Sequence, residues 1–461
     1  MAALHDSPRP PQVAGAVPVP EAAAPVFLDP TGRRARWIRR AAAVLVPVLL
    51  LFGLAVLPAT GWSDLLAGVC DAAWAMLVVV VVLSSLRVAV MGWIALGHSR
   101  TRSVVTGAGR AEPVTVIIAA YNEEAGIAAA IQAAAASLHP VDIVVVDDGS
   151  TDRTRAIVEE GFPDVLLIHQ ANQGKATALN AGLAVARADL VVMVDADTVL
   201  APTAVGALVE SFADPGVAAV SGQIGVTNRT GVVARWQRLD YATFNFERIM
   251  FDRLGGMPTV PGVIGAFRRT AVLAAGGVGE RTLAEDTDLT MTLQRQGWRI
   301  AHQPAAHAYT EVPFTHRDLA RQRYRWSYGT LQALWRHLRS PRDAGNRLNR
   351  IGLPYMLVFH LLLPLATPLV DLALVLTVLH GDLVTAGLCV GVFAVPLAYS
   401  YLALRLSDEP AGLIAPQPVL QFLYGHLVFA VLVRAIAAAV TGAPVRWNRV
   451  QRQETPAPAP G

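Results

Sequence analysis

Two kinds of apolar pattern divide the chain. In its middle, short runs rich in Val and Ile (Val114 to Ala119, Ile143 to Val146, Val165 to Ile168, Leu190 to Val194) alternate with Ala-rich segments of helical spacing. Short β-branched runs, each followed by a helix, predict a parallel sheet built from βα units. On both sides the pattern changes to long uncharged stretches: Ala41 to Pro58 and about Ala72 to Leu96 before it, then Ile351 to Leu379, Leu383 to Leu404 and Val419 to Val440 after it. Stretches of this length are the size of membrane spans. The layout expected is an α/β domain over residues 110–316, inserted between two transmembrane helices at 41–97 and about three at 351–441, with an amphipathic interfacial helix at 317–340.

The flanks carry orientation signals. Arg33, Arg34, Arg36, Arg39 and Arg40 stand directly before the first apolar stretch, so the positive-inside rule puts the N-terminus in the cytosol. The second span returns the chain there, with Arg87 able to snorkel toward that side. The middle domain is therefore expected to be cytosolic and the protein multi-pass in the plasma (inner) membrane. Two spans before it and three after predict an external C-terminus, although Arg446, Arg449 and Arg452 favour a cytosolic end. The run Ile351 to Leu379 is long for one span and contains Pro354, Pro364 and Pro368, as an interfacial or re-entrant piece would. Residues 1–40 are expected to form a disordered tail, basic at its end, and 442–461 a basic then Pro/Ala-rich tail.

Composition agrees: 53% hydrophobic and 16% charged residues over 461 positions are too apolar for an ordinary soluble enzyme. The net charge of +3, with no basic surface interleaved with aromatics, gives no reason to expect nucleic acid. Cys70 and Cys389 both lie in apolar runs and offer neither a disulfide framework nor a pair spaced as metal ligands.

In open α/β sheets ligands bind beyond the carboxyl ends of the strands, and polar residues gather at three such ends. They are Tyr121-Asn122-Glu123-Glu124, Asp147-Asp148-Gly149-Ser150 and Asp195-Ala196-Asp197. Any one of these clusters would pass for turn and cap residues, but three at strand ends point to a site. Ser150 or Thr151 is expected to cap the helix that ends near Gly161. Two carboxylates spaced by two in extended chain, as in Asp195 and Asp197, face one side and suit Mg²⁺ or Mn²⁺ when phosphates and water complete the shell. Lys175 opens a helix behind Gly174, where a cation and backbone N–H groups meet phosphate. The glycine that a P-loop requires before it is missing. Glu285-Asp286-Thr287-Asp288 opens a further helix, and Gln322, Arg325 and Trp326 share one face of the last soluble one, next to an apolar stripe of Leu331, Leu334, Trp335 and Leu338. With Arg317, Arg321, Arg323, Arg336 and Arg339 nearby, that helix is expected to lie on anionic lipid.

In this order the motifs resemble those of the processive family 2 glycosyltransferases, the group of cellulose, chitin, hyaluronan and poly-N-acetylglucosamine synthases. The matching pieces are Val116 to Glu124, Val146 to Ser150, Asn172 to Lys175, Asp195 to Asp197, Glu285-Asp286 and Gln322 to Trp326. The resemblance implies a GT-A fold with Tyr121, Glu123 and Asp148 around a uridine, Lys175 in the nucleotide pocket, and Asp195 and Asp197 at the diphosphate and metal. It further implies Asp286 as catalytic base, Gln322 and Arg325 as diphosphate contacts, Trp326 as a platform for the acceptor sugar, and Pro261 to Arg268 along the acceptor path. One departure is Ala284, where relatives often have Thr before the Glu-Asp pair.

The chemistry this implies is transfer of a sugar from a UDP-sugar to a hydroxyl of a glycan or lipid acceptor, repeated processively to make a poly-N-acetylglucosamine-like or related β-glycan coupled to export. Inversion at the anomeric carbon is expected, since one base acts opposite the leaving group. Membrane lipids and a small membrane or export protein are the further partners expected. A non-processive enzyme that glycosylates a polyprenyl phosphate would share the same nucleotide site. A transporter or receptor with a cytosolic sensor would leave the strand-end carboxylates without work.

Overall fold

The computed structural model describes residues 25–29, 31–41, 43, 47, 62–98, 112–340, 345–380 and 383–443. The stretch Ala41 to Pro58 lies almost wholly outside the described residues, as do most of the two tails. Helix α1 (Trp62–His98) leads into an alternation of β1 (Val114–Ala120), α2 (Ile127–Ala135), β2 (Val141–Asp147), α3 (Thr154–Gly161), β3 (Leu166–His169), α4 (Lys175–Val185) and β4 (Leu190–Asp195). Then follow β5 (Thr198–Leu200), α5 (Ala204–Glu210), β6 (Val217–Val226), α6 (Val232–Leu254), β7 (Gly265–Arg268), α7 (Arg269–Ala274), α8 (Glu285–Arg295), β8 (Arg299–Thr310) and α9 (His316–Leu338).

The eight strands form one sheet in the order β3-β2-β1-β4-β7-β6-β8-β5. β3, β2, β1 and β4 are all parallel, as the βα pattern predicts. Beyond β4 the sheet is mixed, because β7 runs antiparallel to both β4 and β6 while β6 and β8 pair in parallel. The continuous apolar runs follow from burial on both faces. On β1, Val116 and Ile118 join the core that contains Ile127 and Ile131 of α2, whereas Ile117 joins Leu179 and Leu183 of α4 on the opposite face. Each such side chain, fully buried, contributes about 1.5–3 kcal/mol. Gly182 lets α4 approach this closely, since a Cβ there would fall into the Ile117 side chain.

Among the described residues, four helices are long and apolar enough to cross a membrane: Ala67–Ala95, Leu348–Leu365, Ala386–Leu406 and Gln417–Thr441. The run Ile351 to Leu379 divides between the Leu348–Leu365 helix and α10 (Thr367–His380). Pro364 and Pro368 stand at the division and cannot donate to a continuous helical ladder, and much of the Leu348–Leu365 piece is wound in π-type turns. Helices α11 (Leu383–Leu406) and α12 (Gln417–Thr441) complete the block.

Several local expectations change. Asp152, not Ser150 or Thr151, accepts from the Thr154 N–H at 2.9 Å at the start of α3. Ser150 Oγ instead accepts from Asn122 N, and Asn122 Oδ1 accepts from Thr151 N at 2.7 Å, so these residues tie the first two strand ends together. The apolar stripe of α9 is mostly covered by protein. Leu334 is buried among Met291, Leu348 and Leu353, Leu331 borders Ala435 of α12, and Trp335 is the one that stays 48% exposed. Two of its arginines are also engaged internally, Arg323 with Asp240 and Arg336 with Asp288. Residues 25–29 are held in place as well. Val26 N donates to Arg281 O at 3.1 Å, Asp29 N to Gly442 O at 3.1 Å, and the Phe27 ring lies against Tyr328 and Trp335.

Candidate active site

The loop that follows β3 is held by the end of β2. Asp148 accepts from the backbone N–H of Gln173 at 3.0 Å and Gly174 at 2.8 Å, and from Gln170 Nε2 at 2.7 Å. These bonds fix the start of α4 and therefore the position of Lys175. The Lys175 ammonium stands 2.5 Å from Asp195 Oδ1 and 3.1 Å from Glu285 Oε1. Burial pulls against its charge, but the two acids hold it above the usual lysine range. Close contact is possible here because Gly262 has no side chain: a Cβ would lie 2.6 Å from Lys175 Nζ. Glu285 is thus part of the site, a role that only its place directly before Asp286 could have signalled.

Asp286 lies in the first turn of α8, with Thr287 N donating to Oδ1 at 2.7 Å and Gly262 N at 3.4 Å from Oδ2. Burial, then the neighbouring Glu285, pushes its carboxyl up to about 6, against the pull of Lys175. Asp197 sits in the turn between β4 and β5 and accepts from Thr198 Oγ1 at 3.3 Å. Asp195 and Asp197 are hard oxygen donors on the wall of an open cavity, a set that fits a divalent ion whose shell phosphate and water complete. Among the described residues no group of three or more His, Cys, Asp and Glu is arranged to hold an ion unaided.

The indole of Trp326 meets Tyr241 and Phe244 of α6 edge to face, both at 6.5 Å, and the Arg323 guanidinium lies 4.3 Å over its ring. One face of the ring is therefore occupied. Gln322 Oε1 is buried and has no hydrogen-bond partner among the described residues, which leaves it able to accept from a ligand.

Tyr121, Glu123, Asp148, Lys175, Asp195, Asp197, Asp286, Gln322, Arg325 and Trp326 all line one cavity of about 1520 Å³. It continues between the apolar helices, past Val81, Phe359, Pro396 and Val428. Residues of α6, among them Asp240, Glu247 and Arg248, form part of its wall and carry no sequence motif. Arg87 does not snorkel: its guanidinium pairs with Glu247, donates to Tyr399 Oη at 2.8 Å and stands 4.9 Å from the Phe359 ring centre. Glu247, brought there by α6, supplies the counter-charge.

With this geometry the class is defined. Residues 111–329 match the family described as glycosyltransferase like family 2, and this segment is a family 2 glycosyltransferase domain of GT-A fold. It is similar to the poly-β-1,6-N-acetyl-D-glucosamine synthase of Staphylococcus aureus (strain COL), 30% identical over 231 residues that make up 49% of this chain and 56% of that one. A second relative, described as "Probable glycosyltransferase YdaM", from Bacillus subtilis (strain 168), is 34% identical over 235 residues, 47% of this chain and 54% of that one. The chain spans about half the length of these curated relatives. Among solved structures, the mannosyltransferase PcManGT from Pyrobaculum calidifontis, in complex with GDP-Man and Mn²⁺, shares the fold with a TM-score of 0.58 at 24% identity, over 80% of this chain and 98% of that one.

Proposed function

We propose that this protein is a membrane-bound inverting glycosyltransferase that takes a sugar from a UDP-sugar, adds it to an acceptor hydroxyl, and repeats the step to build a β-linked glycan that leaves through the helix block. The observation that carries this is the single cavity that joins the strand-end acids and Lys175 to the apolar helices. The name of the Staphylococcus aureus relative supports a polymer product.

On this proposal the uridine lies beside Tyr121, Glu123 and Asp148, and the diphosphate beside Lys175, Gln322 and Arg325. A divalent ion held by Asp195 and Asp197 supplies charge neutralisation for the leaving diphosphate; the Mn²⁺ of the mannosyltransferase complex supports it. Asp286 accepts the proton of the acceptor hydroxyl as the new bond forms, and its raised carboxyl is a better base than an ordinary aspartate. Because the base acts on the face opposite the leaving group, the anomeric centre inverts. Trp326 offers its one uncovered face to the acceptor sugar. The domain works in the cytosol, and the helices hold it at the membrane.

A lipid acceptor such as a polyprenyl phosphate is the competing reading, since its chain also fits between apolar helices. Membrane vesicles that contain the protein, supplied with a panel of labelled UDP-sugars and Mn²⁺ or Mg²⁺, decide between the two. Polymer-bound label is the expected result. A single-sugar lipid product would overturn the polymer assignment, and activity undiminished in EDTA would overturn the metal role.

A further inference from the structure

Five Lys and Arg side chains stand in the cavity wall, Arg87, Lys175, Arg248, Arg323 and Arg325, and four of them can be compared by how their charge is met. Arg87 pairs with Glu247, Lys175 with Asp195 and Glu285, and Arg323 with Asp240. Arg248 pairs with no carboxylate among the described residues. Its Nη1 donates to Asn245 Oδ1 at 2.8 Å, which is a neutral amide oxygen. Asn245 is itself fixed to β6, because its side chain bonds both the N–H and the C=O of Ile224. A guanidinium has five N–H donors, so this contact leaves most of them unused.

Place sharpens the point. Arg248 is one helical turn beyond Phe244 and two beyond Tyr241 on α6, the two rings that border Trp326. The groups that act on its charge are Glu247, Tyr241 and Asp286. Its place in the cavity wall next to the rings that border Trp326 puts it on the side where the acceptor is proposed to lie. Burial without a paired acid pulls the guanidinium down to about 10, and a bound anion would relieve that cost.

We infer that Arg248 forms an acceptor subsite for an anionic group, a carboxylate or phosphate carried by the acceptor while its reacting hydroxyl lies at Asp286. The substrate class is thus an anionic acceptor, and this assignment rests on the transfer reaction proposed above. A neutral acceptor of the same size would leave Arg248 without its partner.

The test uses the full chain in lipid nanodiscs and two matched pairs of acceptors, each with a free sugar hydroxyl to react: a tetrasaccharide of alternating hexuronate and N-acetylhexosamine against a tetrasaccharide of N-acetylglucosamine, and undecaprenyl-diphosphate-linked N-acetylglucosamine against undecaprenyl N-acetylglucosaminide. Acceptor-dependent UDP release should favour the anionic member of one pair by about tenfold to a hundredfold in kcat/KM, the range of a hydrogen bond to a charged group. Which pair shows it identifies the source of the anion. Arg248→Gln should bring that ratio close to one and Arg248→Lys should keep most of it, with UDP affinity within about twofold of the unmodified protein in both, since the nucleotide contacts are untouched. Equal use of both members in both pairs, or a preference that survives Arg248→Gln, would overturn the subsite. UDP release from no donor with any acceptor would instead overturn the transfer reaction, and the subsite with it.

Discussion

The two ends of the cavity are built from charges of different kinds. At the sheet end, Asp148, Lys175, Asp195 and Asp286 stand where strands end or helices begin, within short motifs. At the helix end the ion pairs join distant parts of the chain: Arg323 to Asp240 across 83 residues and Arg87 to Glu247 across 160. The first set lines the cavity together with Asp197, where the proposed chemistry would use Asp197 and Asp286. The second is matched acid to base: Arg87 and Glu247 tie α1 to α6, and Arg323 ties α9 to α6 through Asp240, which also accepts from the Tyr424 hydroxyl of α12. On the proposed mechanism charge at one end serves reaction and at the other serves assembly, so substitutions at the two ends should fail in different ways.

The largest effect should come from Asp286→Asn. The exchange keeps shape and removes proton acceptance, so turnover should fall by about 10²–10⁴-fold, the usual worth of general base catalysis, with UDP affinity nearly unchanged. Because the carboxyl is raised to about 6 and acts when deprotonated, the rate of the unmodified protein should fall as pH drops through about 6 and level off above it. Calorimetry with UDP beside a pH–rate profile checks both. UDP affinity that fell as far as the rate would place Asp286 in the nucleotide site.

The helix end should break through stability instead. Arg323→Met removes the cationic partner of the half-buried Asp240, whose carboxyl burial already raises, and leaves it with the Tyr424 hydroxyl but no compensating charge. The expected loss is about 3–5 kcal/mol, seen as a lower melting temperature in detergent. Adding Asp240→Asn should restore a large part of it. If the single variant melted normally but lost activity, the comparison between the two ends would collapse.

This contrast also governs how much could be read from the chain alone. β1, β2 and β4 were legible because their buried positions write β-branched runs into consecutive residues, and the edge strand β3, with Leu166 51% exposed, was legible as a short apolar run between helical segments. Asp195, Asp197, Asp286, Gln322, Arg325 and Trp326 were legible because their spacing survives in the sequence. β7 was not: it is four residues long and pairs β4 with β6 across a gap in the order of strands. α6 was not either, since its wall face mixes Asp240, Phe244, Glu247 and Arg248 and reads as neither apolar nor polar. Arg323 looked like one of several lipid-facing arginines, and only Asp240, supplied by α6, shows that it is buried.

The smallest effect concerns a segment that belongs to neither end by its sequence. Residues 25–29 sit in a stretch rich in Pro and Ala, yet Gln332 on α9 uses both ends of its amide there. Its Nε2 donates to Val26 O at 2.9 Å and its Oε1 accepts from Leu283 N at 2.9 Å, one residue before the cap of the helix that carries Asp286. Phe27 covers that bridge by lying against Tyr328 and Trp335. Since α9 also presents Arg325 and Trp326 to the cavity, the bridge joins the helix proposed to hold the acceptor to the loop before the proposed base. Phe27→Ala should loosen this joint by about 1 kcal/mol, the scale of one lost hydrogen bond or ring contact. The expected result is a severalfold drop in kcat with UDP affinity intact, and Gln332→Ala should match it in direction. A loosened structural contact with no bearing on the base would lower the melting temperature and leave kcat alone. That outcome would assign residues 25–29 to assembly, with the ion pairs of the helix end.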